Sequence, residues 1–146
     1  MHLLYSILRL AASFWIGGMA LFTFVLTPII FRVNDRDTAG RIVGTLFPAY
    51  FRWGLACGAL ALICLLFVRG KNFTPALILL VVMLVLTSFQ AFYIEPRAAL
   101  LKKDIPSFVT TSPDHPLRRE FSRLHGVSAV CNLSVFACGV ALVVLI

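Results

Sequence analysis

Four long stretches of the chain carry no charged residue, and polar, mostly basic segments separate them. The stretches are Leu10–Phe31 (22 residues), Trp53–Val68 (16), Asn72–Ile94 (23) and Leu124–Ile146 (23). About 20 residues at a rise of 1.5 Å cross a hydrocarbon core of about 30 Å, so these runs have spanning length. The second is short, but Ala49, Tyr50 and Phe51 extend it, and Arg52 can snorkel from its end. Backbone polar groups in lipid must bond internally, and no polar–apolar alternation supports a barrel. The pattern predicts an all-α integral membrane four-helix bundle, one domain with spans over about 10–31, 49–68, 73–94 and 124–146.

Punctuation residues refine the picture. Asp35 and Asp37 with Thr38 predict a capped amphipathic segment, Ala39–Phe47, before Pro48 opens the second span. Pro96 likewise opens a short basic helix, Pro96–Lys103. Asp104–Pro116, with Pro106, Pro113 and Pro116, predicts the one long loop, and from Leu117 a helix runs to the C-terminus. Pro28 predicts a kink in the first span. Gly17, Gly18, the Gly54/Gly58 pair, Gly126 and Gly139 predict close helix approach. No inverted or direct repeat is legible, so the usual transporter signature is missing.

Composition agrees with the membrane reading. Hydrophobic residues make up 60% of the 146 positions and charged ones 13%, too few to surface a soluble domain of this size. The net charge of +7 points to lipid headgroups and topology rather than to nucleic acid. Arg9, Arg69 and Lys71 lie on one side, and the other ten Lys and Arg residues lie on the opposite one. The positive-inside rule then puts the first and third connections in the cytoplasm and both termini outside, in the periplasm for a bacterial inner membrane. The first run is too long for a signal-peptide core and is expected to stay as a helix.

Three segments carry a family resemblance when read together. They are Leu46-Phe47-Pro48-Ala49-Tyr50-Phe51 after Ala39-Gly40-Arg41; Glu95-Pro96-Arg97; and Phe121-Ser122-Arg123-Leu124-His125-Gly126-Val127-Ser128 with Cys131-Asn132-Leu133. Trp15-x-Gly17-Gly18 adds to them near the start. The chain resembles the Transmembrane protein 205 family, small four-helix membrane proteins that mostly carry a domain of unknown function. The resemblance implies a four-span bundle. It also implies a link to export or trafficking, because the animal member is associated with resistance to platinum drugs. No catalytic residues come with it.

Residues able to carry chemistry gather at the basic end. His125, Ser128 and Asn132 fall at i, i+3 and i+7 on one helix face, close to Arg123, and Glu95 and Arg97 end the third run. Such groups at membrane depth either pair helices, with Asn132 bonding across and Glu95 meeting Arg97 or Arg123, or bind a ligand or ion. Cys57/Cys64 and Cys131/Cys138 each repeat at i, i+7 on parallel helices, and in contact they would form thiol rungs suited to a soft metal. The competing reading is small packing residues. A bis-His haem would need His115 to join His125. No nucleophile elbow, triad or phosphate-binding loop is legible, and the chain reads as a non-enzyme without a resident cofactor.

The leading functional expectation is a transport or export-related protein for a metal complex, cation or amphiphile, acting in the lipid bilayer as a homo-oligomer or with a partner. The alternatives are an accessory subunit of a larger membrane complex and a membrane enzyme using His125.

Overall fold

The computed structural model describes residues 2–146 and consists of four long helices with no strand among them. They are α1 (His2–Val33), α2 (Arg36–Val68), α3 (Phe73–Asp104) and α4 (Pro116–Leu145). Each is long and apolar enough to cross a membrane. At 1.5 Å per residue they measure about 45–50 Å, longer than a hydrocarbon core of about 30 Å. The surplus of α2, α3 and α4 projects at the basic end, where the short Asn34–Asp35 turn and the loop before Pro116 lie. Neighbours in sequence are neighbours in space, and α1 closes the ring against α4. The backbones of α2 and α4 sit across the diagonal and do not approach.

Proline is handled differently from the sequence expectation. The Asp35 carboxylate caps α2 by accepting from the Asp37 and Thr38 amides at 3.0 and 2.9 Å. The helix then runs 33 residues straight through Pro48, so no separate amphipathic segment exists. An interior proline removes one helical hydrogen bond and costs about 3 kcal/mol. Packing against α1 and α3 outweighs that cost. In α1 and α3 the backbone shifts instead into π-turns, Leu21–Leu26 and Gln90–Ile94, each ending two residues before a proline, Pro28 and Pro96. A π-turn re-pairs carbonyls that a proline leaves without a donor. The basic segment Glu95–Asp104 is thereby a continuation of α3.

The half of the bundle nearer the termini is solid. Leu8, Ala12, Trp15, Ala61, Cys64, Leu80, Met83, Val135 and Leu142 form its buried core. Two tryptophans interdigitate across the α1–α2 seam. The Trp15 indole lies against Gly54 and Gly58, where an added Cβ would come within 2.7 and 2.6 Å of it. In return Trp53 lies over Gly18, with its Nε1 at 3.0 Å from such a Cβ. Gly139 of α4 is in close contact with Ile16. Gly17 and Gly126 correct the expectation, since both face open space. The α2–α3 turn is closed by Arg69 in the left-handed region (φ 41°), and Asn72 donates to the Leu145 carbonyl at 2.9 Å.

Candidate functional site

A polar layer crosses the middle of the bundle, with one contributor from each helix at least. Asn132 of α4 donates to the Thr23 hydroxyl of α1 (2.9 Å) and accepts from the Tyr50 hydroxyl of α2 (2.5 Å). Ser128 donates to Gln90 Oε1 of α3 at 3.1 Å, and Gln90 is only 1% exposed. Tyr50 reaches across the diagonal that the backbones leave open, and it stacks on Phe22 with centroids 4.6 Å apart. Thr23 and Gln90 both lie in the π-turns. Every amide in this layer has a partner, as lipid surroundings require. Asn132→Leu should weaken the bundle by about 1 kcal/mol without unfolding it, since membrane interhelical bonds average about 0.6 and reach about 1.7 kcal/mol. A denaturation series in detergent micelles measures this, and a loss several times larger would contradict it.

Below that layer the bundle is hollow. A cavity of about 830 Å³ opens between the end of α1 and the projecting ends of α2, α3 and α4. This is within the size range of pockets that bury small organic ligands. Its lining includes the aromatic side chains Phe47, Phe51, Phe108 and Phe121. It also includes five cations, Arg36, Arg41, Lys102, Lys103 and Arg118, and Glu95 is its one carboxylate. Thr27, Pro28 and Ser128 form the deep end, inside the uncharged runs of α1 and α4 or at their edge. The cavity therefore has an apolar end in the bilayer and a cationic end at its surface.

Lys102 is the most enclosed of the cations. Its ammonium donates to the Gly40 carbonyl and sits in a notch made by Gly40 and Gly44, where an added Cβ would lie 3.2 and 3.3 Å from Nζ. Burial pushes its pKa down, the nearby Asp37 carboxylate opposes that, and Arg41 adds to it. Arg118 donates to the Thr111 carbonyl and lies over the Phe108 ring, 5.5 Å from the centroid. Asp37 anchors the loop above them by accepting from the Ser107 hydroxyl (2.5 Å) and the Phe108 amide (2.6 Å). Those two bonds hold its carboxyl below the usual carboxylate range.

The residues singled out from sequence fall into separate groups. His125 and Ser128 share the cavity wall with Glu95, and Asn132 lies one layer deeper. Arg97 points away from Glu95, donating to the Tyr93 hydroxyl at 2.7 Å and lying over its ring. Arg123 is exposed and does not line the cavity. The thiol rungs do not form. Cys57 and Cys64 are buried on α2, Cys131 and Cys138 are half-buried on α4, and those helices are diagonal rather than adjacent. His115 is the N-cap of α4 and His125 lies ten residues further on, and of the two only His125 lines the cavity. Among the described residues no three or more His, Cys, Asp or Glu gather as a metal site. The sequence reading missed Thr23, Tyr50 and Gln90, although Gln90 is the one amide within its uncharged run after Asn72, which opens it. It also missed Gly40 and Gly44, which stand at the same spacing as Gly54 and Gly58.

Comparison with known proteins gives a family but no activity. The family described as Domain of unknown function (DUF4149) matches residues 10–107. A curated protein of Aquifex aeolicus (strain VF5), described as an uncharacterized protein, is 32% identical over 123 residues. That alignment covers 84% of this chain and 81% of the relative. No solved structure matches the chain.

Proposed function

We propose that this chain, which belongs to the family Domain of unknown function (DUF4149), binds an anionic amphiphile in its basal cavity and serves its transport or export. One observation carries this reading: the cavity lining combines five cations and a single carboxylate with several phenylalanines. A negative headgroup is stabilised by Arg and Lys at the bilayer surface, and an apolar tail by the phenylalanines. The same lining disfavours a free cation or a cationic metal complex. The segments Leu46–Phe51, Glu95–Arg97 and Phe121–Leu133 support a Transmembrane protein 205-like assignment, and His125, Ser128 and Glu95 serve as wall residues. Four spans make a small carrier, so a homo-oligomer is the working unit.

Thermal unfolding of the full chain in a neutral detergent tests the ligand class. Dodecyl phosphate should raise Tm by several degrees, since a ligand at 100 times its Kd adds about 2.7 kcal/mol. Inorganic phosphate should do less, and dodecyltrimethylammonium should do nothing. An equal response to the cationic and anionic amphiphiles would discard the reading.

The charge distribution supports an inner-membrane protein with the cavity facing the cytoplasm and both termini outside. On a background with the four native cysteines replaced by alanine, a cysteine at Thr110 should stay shielded from impermeant reagents in spheroplasts. One at Lys71 should label. The opposite pattern would invert the orientation.

A further inference from the structure

The basal half of the bundle is open on one side. No Cα of the α1 segments Leu21–Leu26 or Thr27–Val33 comes within 8 Å of any Cα of α4, although α1 and α4 pack closely nearer the termini. Side chains alone bridge the upper part of this gap: Thr23 to Asn132, and Phe24 against Phe136 with centroids 5.3 Å apart. Beneath them Thr27–Val33 leans on α2, whereas Glu95–Asp104 of α3 packs against α4. The cavity reaches both lips of the gap, Pro28 and Phe31 on one side, Phe121 and His125 on the other. Gly126 has nothing within 4 Å of where a Cβ would stand.

Depth gives the gap its meaning. Phe31 closes the uncharged run of α1 and Leu124 begins that of α4, so the lips cross from the headgroup zone into hydrocarbon. Arg118 and Lys102 stand at the shallow end of the same cavity. The Lys102 ammonium has three donors and uses one, on the Gly40 carbonyl.

We infer that the gap between α1 and α4 is a lateral portal through which a phosphate-headed membrane lipid enters from the bilayer, headgroup toward Lys102 and Arg118, tail left between the lips. The inference rests on the anionic-amphiphile reading and narrows it to a ligand that arrives sideways. A water-borne ligand needs no slot in the hydrocarbon, and a zwitterionic lipid gains little from this excess of cations.

The test uses the full chain in phosphatidylcholine vesicles containing a minor fraction of phosphatidic acid with a photoactivatable group on its acyl chain. After irradiation, adducts should concentrate on residues 27–31 and 121–128. They should exceed, several-fold, those from phosphatidylcholine carrying the same group, and excess unlabelled phosphatidic acid should suppress them. Equal labelling by the two lipids would reduce the gap to ordinary boundary-lipid contact and overturn the inference. Short-chain dihexanoyl phosphatidic acid, added from water to the protein in detergent, separates the two claims. If it raises Tm while the lips stay unlabelled in vesicles, lateral entry is wrong and the ligand class survives. If it does nothing and the lips stay unlabelled, both fall.

Discussion

Trp15→Ala should lower the unfolding free energy by about 3 kcal/mol, the largest single loss expected in this bundle. Truncating a buried tryptophan costs about 3–5 kcal/mol in water-soluble cores. The lower end applies here, because lipid is as apolar as the core and dispersion contacts drive helix pairing. Trp15 is 2% exposed, and its indole fills the space above Gly54 and Gly58. Gly58→Val should also destabilise, by about 1–3 kcal/mol, since its Cβ would stand 2.6 Å from both the indole and the Leu84 side chain. A rigid two-ring side chain cannot yield as a long flexible one does. The two positions share one volume, so the double variant should cost at least about 1 kcal/mol less than the sum. Unfolding titrations of the four-member cycle read this directly. Additivity within about 0.5 kcal/mol would mean that the indole and the glycine notch are not coupled.

That seam was half legible in the sequence. The Gly54/Gly58 spacing announces a close approach, but nothing in the chain says that Trp15 occupies it, or that Trp53 answers over Gly18. Spans and their charged ends were legible because desolvating charge and unpaired backbone is expensive, which leaves few ways to distribute 19 charged residues. Helix continuity was not. Pro28 read as a kink and Pro48 and Pro96 as the starts of new helices, yet α2 absorbs its proline by packing and the other two helices absorb theirs in π-turns, and both solutions depend on neighbouring helices.

The candidate site was legible only in its fourth-helix part. The spacing of His125, Ser128 and Asn132 fixes one face, and that face meets the cavity and the polar layer. The partners Thr23, Tyr50 and Gln90 come from three other helices, and a helical period carries no information about which helix lies opposite. The cysteine rungs failed for the same reason: i, i+7 spacing on α2 and α4 fixes two faces, while the ring order of the bundle sets those helices on a diagonal. The ten basic residues of the first and third connections and their flanks read as a topology signal. Their second property, that Arg36, Arg41, Lys102, Lys103 and Arg118 converge on one cavity, exists only once the helices project together beyond the bilayer.

Lys102→Glu should reduce dodecyl phosphate binding by roughly a hundredfold, and Lys102→Gln by roughly tenfold, because a charge-assisted bond is worth about 1.5–3 kcal/mol and 1.4 kcal/mol is tenfold. The glutamine removes the attraction, whereas the glutamate adds repulsion inside a partly desolvated space. Lys103→Gln should cost far less, since that side chain is exposed and its field is screened within about 8 Å in physiological salt. The free protein offers an independent readout of the same ammonium. Its folded-state pKa lies below the ordinary lysine value of 10.5, chiefly through burial. The unfolded chain therefore holds the proton more tightly, and stability should rise with pH from the folded-state pKa up toward 10.5. Lys102→Gln should flatten that rise. Bound dodecyl phosphate should flatten it too, because an anion beside the ammonium favours the charged form and pulls the pKa back up. Tm measured against pH for the free protein, the ligand complex and the glutamine variant compares all three slopes. Should the ligand leave the slope of the free protein unchanged while still raising Tm, the headgroup sits elsewhere and Lys102 is only a strut against the Gly40–Gly44 notch.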